Sequence, residues 1–256
     1  MKRVMIFGKN NIAIECTKVL LKKDGVQVVG CCPNNNDKGE DGWQKSFMRF
    51  CDEKKIAIFR FKDIRSNDSL NFLKKMDLDF IFSFQYDQII CQEVIDVFGK
   101  GAVNLHFSPL PKYRGVSPIA WALINGEDSY GVTIHYIDPG IDTGDIIAQT
   151  NFKIDSVKNA RELYSKCESS GIELFKNTID KLLNDSNERA PQLNIKAMYY
   201  PKGSIDFNKC EIDFNKSTYM LNNWIRAFIF PPFQYPVFKH EGRLKKVVRA
   251  YPVYNK

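Results

Sequence analysis

The sequence predicts an α/β protein: a mostly parallel sheet covered by helices on both faces, with a small carboxyl-terminal appendage that is β-rich and aromatic. Three observations predict it. The first half alternates short, continuously apolar runs with amphipathic stretches, the rhythm of strands buried on both faces and joined by crossover helices. Residues 158–184 then carry Leu163, Cys167, Ile172, Leu174, Phe175, Ile179, Leu182 and Leu183 mostly on one side, as one long helix does. Beyond the polar run that ends at Pro191, composition shifts to Tyr, Phe, Pro and Lys, in segments too short for another crossover unit. The chain therefore reads as a main domain over residues 1–190 and a small segment over 191–256 that serves substrate binding or dimerisation.

Taken in order, MKRVMIF (1–7), VQVVGCC (26–32), IAIFRF (56–61) and DFIFSF (79–84) read as strands, with helices over 10–23, 43–54 and 66–76 between them. Further strands follow at GAVNLHF (101–107), YGVTIHYID (130–138) and DIIAQTNFKI (145–154). From Lys239 to the end, six Lys or Arg and one Glu are interleaved with Val247, Val248, Tyr251, Val253 and Tyr254, which predicts a strand with one basic face. The aromatic, proline-rich stretch 228–238 could serve as an interface or pack on its own core.

Composition narrows the class of protein. With 44% hydrophobic, 26% charged and 13% aromatic residues, the 256-residue chain can bury a sizeable core and is not a disordered sequence. No window holds the roughly 18 uninterrupted apolar residues of a membrane span, and the apolar run at the start is too short for a signal peptide. Seven scattered cysteines without a C-x-x-C pair fit reduced thiols, so a cytoplasmic protein without membrane association is expected. None of His106, His135 and His240 stands at zinc-ligand spacing, which argues against a metal enzyme. A net charge of +7 suggests an anionic partner: nucleic acid, a diphosphate or a polyglutamate tail.

The turn FGKNN after the first strand has one glycine where a dinucleotide fingerprint wants three, and a tight turn at Gly8 explains it. The informative stretch runs from Val103 to Gln149. Asn104 and His106 stand two apart in a strand and so project from the same face. A satisfied core histidine explains that pair as well as a site at the sheet's carboxyl edge does. The loop SPLPKYRG then leaves the strand through two prolines, and IDPGIDTGDI brings Asp138, Asp142 and Asp145 into a sharp turn from which a carboxylate could reach His106.

These residues resemble the formyltetrahydrofolate-dependent formyltransferases. That family shares N-x-H-x-S-x-L-P-x-[YWF]-[RK]-G followed by D-x-G-x-D-T-G, here Asn104 through Gly115 and Asp138 through Gly144. Pro109 departs from the aliphatic residue usual there. The resemblance implies a Rossmann-like formyltransferase fold and 10-formyltetrahydrofolate as formyl donor. It implies that Asn104 holds the formyl oxygen, that His106 stands beside the attacking amine, and that Asp142 orients the imidazole. It also places the pterin against the loops 84–89 and 137–142, through Phe84, Gln85, Tyr86, Ile89, Asp138 and Gly140; for Tyr86, packing at a strand end explains the residue equally well. The chemistry agrees, because fixed donors stabilise charge developing on oxygen and histidine exchanges protons near neutrality.

Within that family the acceptor is a glycinamide nucleotide, methionyl-tRNA or a nucleotide-linked amino sugar. About 65 residues remain after Pro191, short of the barrel-like domain that the tRNA enzymes append. The chain is most similar to the sugar N-formyltransferases, with Asn223-Trp224-Ile225-Arg226-Ala227 paralleling the N-x-V-R-A of the aminoarabinose-pathway enzyme. The expected activity is formylation of a dTDP-linked 3- or 4-amino-dideoxy sugar for a surface polysaccharide such as an O-antigen, by a homodimer. A methionyl-tRNA formyltransferase with a reduced tail is the alternative. Ser108, Arg114, Lys202, Trp224, Arg226 and Phe230 are the expected substrate-binding residues, with Phe233 beside them: aromatic rings to stack a base, guanidinium and ammonium groups for the pyrophosphate. Packing in the core is the competing role for each of those rings.

Overall fold

A computed structural model describes residues 1–251 of the chain. In chain order the elements are β1 (Lys2–Gly8), α1 (Asn10–Leu20), β2 (Val26–Pro33), α2 (Phe47–Glu53), α3 (Asn67–Lys75), β3 (Phe80–Phe84), α4 (Gln92–Ile95) and β4 (Gly101–His106). There follow β5 (Arg114–Gly115), α5 (Pro118–Ile124), β6 (Ser129–Tyr136), β7 (Ile146–Lys153), α6 (Ala160–Leu183), β8 (Tyr199–Tyr200), α7 (Thr218–Phe228), β9 (Val237–His240) and β10 (Arg243–Lys246). The main sheet has six strands in the order β2-β1-β3-β4-β6-β7. The first four are parallel and β6 runs antiparallel to β4, which gives the expected mostly parallel sheet.

The described chain divides into two compact units. One comprises residues 1–106, 133–149 and 170–192; the other comprises 107–132, 150–169 and 193–256, of which the structure describes as far as 251. The division is therefore not a single cut at residue 190, because β6, β7 and α6 each contribute residues to both.

In the first unit the sequence explains the elements directly. Val4, Met5, Ile6 and Phe7 of β1 and every residue of β3 are buried, as strands covered on both faces require. Phe82 and Phe84 project onto the same side, and both pack edge-on against Phe175 of α6, at 5.6 and 5.3 Å between ring centroids. Ser46 caps α2 by accepting from the Arg49 N–H, and Ser66 caps α3 by accepting from the Ser69 N–H. The stretch IAIFRF, expected as a strand, touches the sheet through one bridge, Cys31 to Ile58, and does not join it. Alternation of apolar residues there serves the core through Phe59 and Phe61 without a ladder. The helix expected over 43–54 begins at Phe47, since Ser46 is its cap.

In the second unit α5 packs on α7, an 11-residue helix capped by Ser217, which accepts from the Met220 N–H. Asn223, Arg226 and Ala227 form its buried face. The basic carboxyl-terminal stretch is not one strand. It forms the antiparallel hairpin β9–β10, whose turn at Glu241 and Gly242 has both residues at positive φ, as tight hairpins demand. Val253 and Tyr254 lie outside the described residues.

Gly8 ends β1 with φ +153, and a Cβ there would stand 2.1 Å from the Phe84 carbonyl oxygen. Gly8→Ala is expected to destabilise the protein by about 2 kcal/mol or more, seen as a thermal midpoint several degrees lower. Gly42→Ala, in open space, should leave the midpoint unchanged.

Candidate active site

The residues expected at the reacting centre are assembled on one face of neighbouring strands. Asn104 pairs with His135 and His106 with Thr133 across the antiparallel β4–β6 ladder. Asn104 and His106 share a face because they are two apart, and His135 joins them as the register partner of Asn104. The Asn104 Nδ2 lies 3.1 Å from His135 Nε2, and His135 Nδ1 lies 2.7 Å from the Tyr136 carbonyl oxygen. The two imidazole rings meet edge to face, with centroids 6.4 Å apart.

Because β6 runs opposite to β4, the loop 137–145 starts beside Ala102 and must fold back to reach His106. Several contacts hold it there. The Ile137 N–H donates to Ala102 O and the Tyr136 N–H to Asp145 O, closing the loop at both ends. Thr143 Oγ1 donates to Asp138 Oδ1 at 2.5 Å, so Asp138 is engaged within the loop. Gly144 approaches the strand so closely that a Cβ would lie 1.9 Å from Tyr136 O. Asp142 adopts φ +54, a left-handed conformation that aspartate tolerates better than most residues. The side-chain amide of Gln192 donates to Asp142 O at 3.0 Å and to Gly144 O at 2.7 Å, clamping the turn on both sides of Thr143.

The result is a carboxylate shared by two histidines. Asp142 Oδ1 is 3.6 Å from His106 Nδ1 and 3.6 Å from His135 Nε2. His135 is 1% exposed and His106 9%. The Nδ1 edge of His106 is thus the one turned to Asp142. A half-buried amide, an imidazole and a carboxylate so arranged can donate to an oxygen, take up a proton and orient the base that does so.

Of the residues expected at the pterin, Phe84 is buried in the sheet, so only its main chain can serve a ligand; its carbonyl accepts from the Lys9 N–H. Gln85 has φ +60, and its carbonyl accepts from Asn34 Nδ2. Tyr86 packs edge-on against Phe7 at 5.1 Å, its hydroxyl 3.5 Å from Cys32 Sγ. Burial holds the Tyr86 phenol neutral and pushes the Cys32 thiol up to about 11, so neither is an ionised nucleophile. Ile89 and Ile141, 59% and 37% exposed, present apolar side chains on the two loops, and Gly140 packs its Cα against Thr143.

In the second unit the expected substrate residues divide into interior and surface. Ser108 is fully buried and donates to Lys112 O at 2.8 Å. Arg114 is buried, with Nη1 3.5 Å from Asn194 Oδ1. The Arg226 guanidinium is buried, donating to Val157 O and lying 3.4 Å from Asn223 Oδ1, so its place is inside the unit. Trp224 stacks on Phe228 at 4.1 Å, and Phe230 packs against Tyr164 and Phe233. Lys202 and Phe233 are exposed.

Two residues of the site were not singled out in the sequence, His135 and Gln192. Strand register could have found His135, since it stands opposite Asn104; nothing local marks Gln192, 50 positions from the carbonyl it holds.

Known proteins resemble this chain in sequence and in fold. Residues 2–179 match the family model described as formyl transferase. A methionyl-tRNA formyltransferase of Clostridium tetani is 32% identical over 98% of this chain and 80% of its own. A sugar 3N-formyltransferase solved in the presence of dTDP and 5-N-formyltetrahydrofolate is 35% identical, with a TM-score of 0.79 over 97% of this chain and 85% of its own. An N-formyltransferase of Helicobacter canadensis, in complex with folinic acid and dTDP-3-aminofucose, is 34% identical, with a TM-score of 0.80 over 97% of this chain and 87% of its own. The sheet, the Asn104–His106–Asp142 centre and a family match over residues 2–179 lead to one assignment: the chain belongs to the formyl transferase family.

Proposed function

We propose that the protein transfers the formyl group of 10-formyltetrahydrofolate to the amine of a dTDP-linked 3- or 4-amino-dideoxy sugar, supplying an N-formylated sugar for a surface polysaccharide such as an O-antigen. The observation that carries the reading is the likeness, at 34–35% identity over 97% of the chain, to two sugar N-formyltransferases solved with folate and a dTDP ligand. The proposal includes a cytoplasmic homodimer without membrane association; among the described residues no helix is long and apolar enough to cross a membrane. Of the expected sugar-nucleotide residues, Lys202 and Phe233 have the solvent access that a diphosphate and a base require.

The bound folate supplies the formyl group; the chain does the rest. Loops 84–89 and 137–142 hold the pterin. The Asn104 amide donates toward the formyl oxygen, where one well-placed donor contributes about 3 kcal/mol as negative charge develops. His106 Nε2 accepts the proton that the acceptor ammonium must lose before its nitrogen can attack. Asp142, 3.6 Å from Nδ1, orients that imidazole and stabilises it once it is charged. Burial of the two histidines strengthens each of these interactions by keeping water out.

A second reading, formylation of methionyl-tRNA, is favoured by the Clostridium tetani relative, which this chain covers over 80% of its length. The two separate in one assay. With 10-formyltetrahydrofolate and a panel of dTDP-, UDP- and GDP-linked amino sugars, one dTDP sugar should gain roughly 28 Da, one formyl replacing one hydrogen. Labelled methionyl-tRNA should stay unformylated; formylation of the tRNA with every sugar unchanged would favour the second reading. In the working assay His106→Ala should lower kcat by about 100-fold or more, and turnover within twofold of wild type would remove His106 from the mechanism. Gln192→Ala should lower kcat by about 10-fold with a much smaller change in thermal midpoint, since it frees the carbonyls on both sides of Thr143 and leaves the core intact.

A further inference from the structure

We propose that His135 is a positioning residue for formyl transfer, held as a neutral Nδ1–H imidazole that fixes which end of the Asn104 amide faces it. This rests on the reading that Asn104 donates to the formyl oxygen. The argument starts at Tyr136. Its carbonyl oxygen carries only lone pairs, so the 2.7 Å contact with His135 Nδ1 requires a proton on that nitrogen. In the neutral ring Nε2 is then an acceptor, and the Asn104 group 3.1 Å away must be the donor, Nδ2. The opposite amide orientation would set Oδ1 against a nitrogen lone pair in a position 1% exposed, where no solvent can relieve the repulsion.

Fixing the amide in this way has a catalytic consequence. An asparagine Nδ2 carries two N–H groups. One is taken by His135; the second stays on a nitrogen whose position and plane are now set, ready to donate to an oxygen that becomes more negative during transfer. An amide free to flip would spend part of its time offering Oδ1 to that same oxygen. The competing state is an imidazolium. Asp142 Oδ1 is 3.6 Å from Nε2 and would attract a proton there, after which Asn104 would have to turn Oδ1 to the ring. The chain thus places two histidines against one carboxylate and gives them different work: His106 exchanges the proton, and His135 keeps the amide in place.

Two measurements test this. In protein labelled with ¹⁵N-histidine, His135 should show a protonated Nδ1 and a bare Nε2 at neutral pH; with three histidines, His106→Ala and His240→Ala assign the signals. A protonated Nε2 overturns the proposal. The second is a kinetic cycle with 10-formyltetrahydrofolate and dTDP-3-aminofucose, or whichever acceptor of the panel turns over. His135→Leu should lower kcat by roughly 10- to 100-fold with KM for the folate within about twofold, while His135→Gln, whose carbonyl oxygen can replace the acceptor, keeps most of the activity. In an Asn104→Ala background His135→Leu should have no further effect; an undiminished loss there overturns the positioning role. If wild type formylates no acceptor, the transfer reading fails separately, and the ¹⁵N spectrum still decides the state of His135.

Discussion

The proposed reacting centre depends on the register of the β4–β6 pair. With Asn104 opposite His135 and His106 opposite Thr133, three chemically capable side chains share one face. A slip of β6 by one residue would turn His135 to the other side of the sheet, away from Asn104 and His106, because side chains alternate along a strand. The antiparallel direction of β6 adds a second condition. The following loop begins near the start of β4 and needs Gly144 in close contact with Tyr136 O, the left-handed Asp142 and the Gln192 clamp to bring a carboxylate back over the histidines. Strain and close packing in that turn are what place Asp142 Oδ1 3.6 Å from both rings.

Much of the fold was legible in the sequence because strands buried on both faces must be continuously apolar. β1, β3 and the long helix α6 follow from the pattern of apolar residues alone. IAIFRF misled for a related reason: alternating apolar residues feed the core whether or not their backbone joins a ladder, and pairing partners are not encoded locally. The face shared by Asn104 and His106 was also readable, since a period of two needs no tertiary knowledge. The approach of His135 to Asn104 was not, because it requires the register of two strands 31 positions apart.

Arginine shows how far residue type underdetermines role. Arg226 carries the charge a pyrophosphate needs, yet α7 turns it inward, where it holds Val157 O and leans on Asn223. A helical face repeating at three and four residues buries whatever occupies it, and at this position the chain has committed a guanidinium to the interior. Ser108 likewise spends its hydroxyl on Lys112 O within its own loop. Exposure, more than charge, separates side chains that can meet a ligand from those that shape the unit around it.

The central claim is that Asn104, His106 and Asp142 surround the formyl group. A crystal structure with 5-formyltetrahydrofolate, a stable relative of the donor, tests it most directly. The account predicts the pterin against loops 84–89 and 137–142, with Asn104 Nδ2 and His106 Nε2 at the two sides of the formyl group. A folate bound with its pterin away from those loops, or with its formyl end remote from the strand carrying Asn104 and His106, would contradict it.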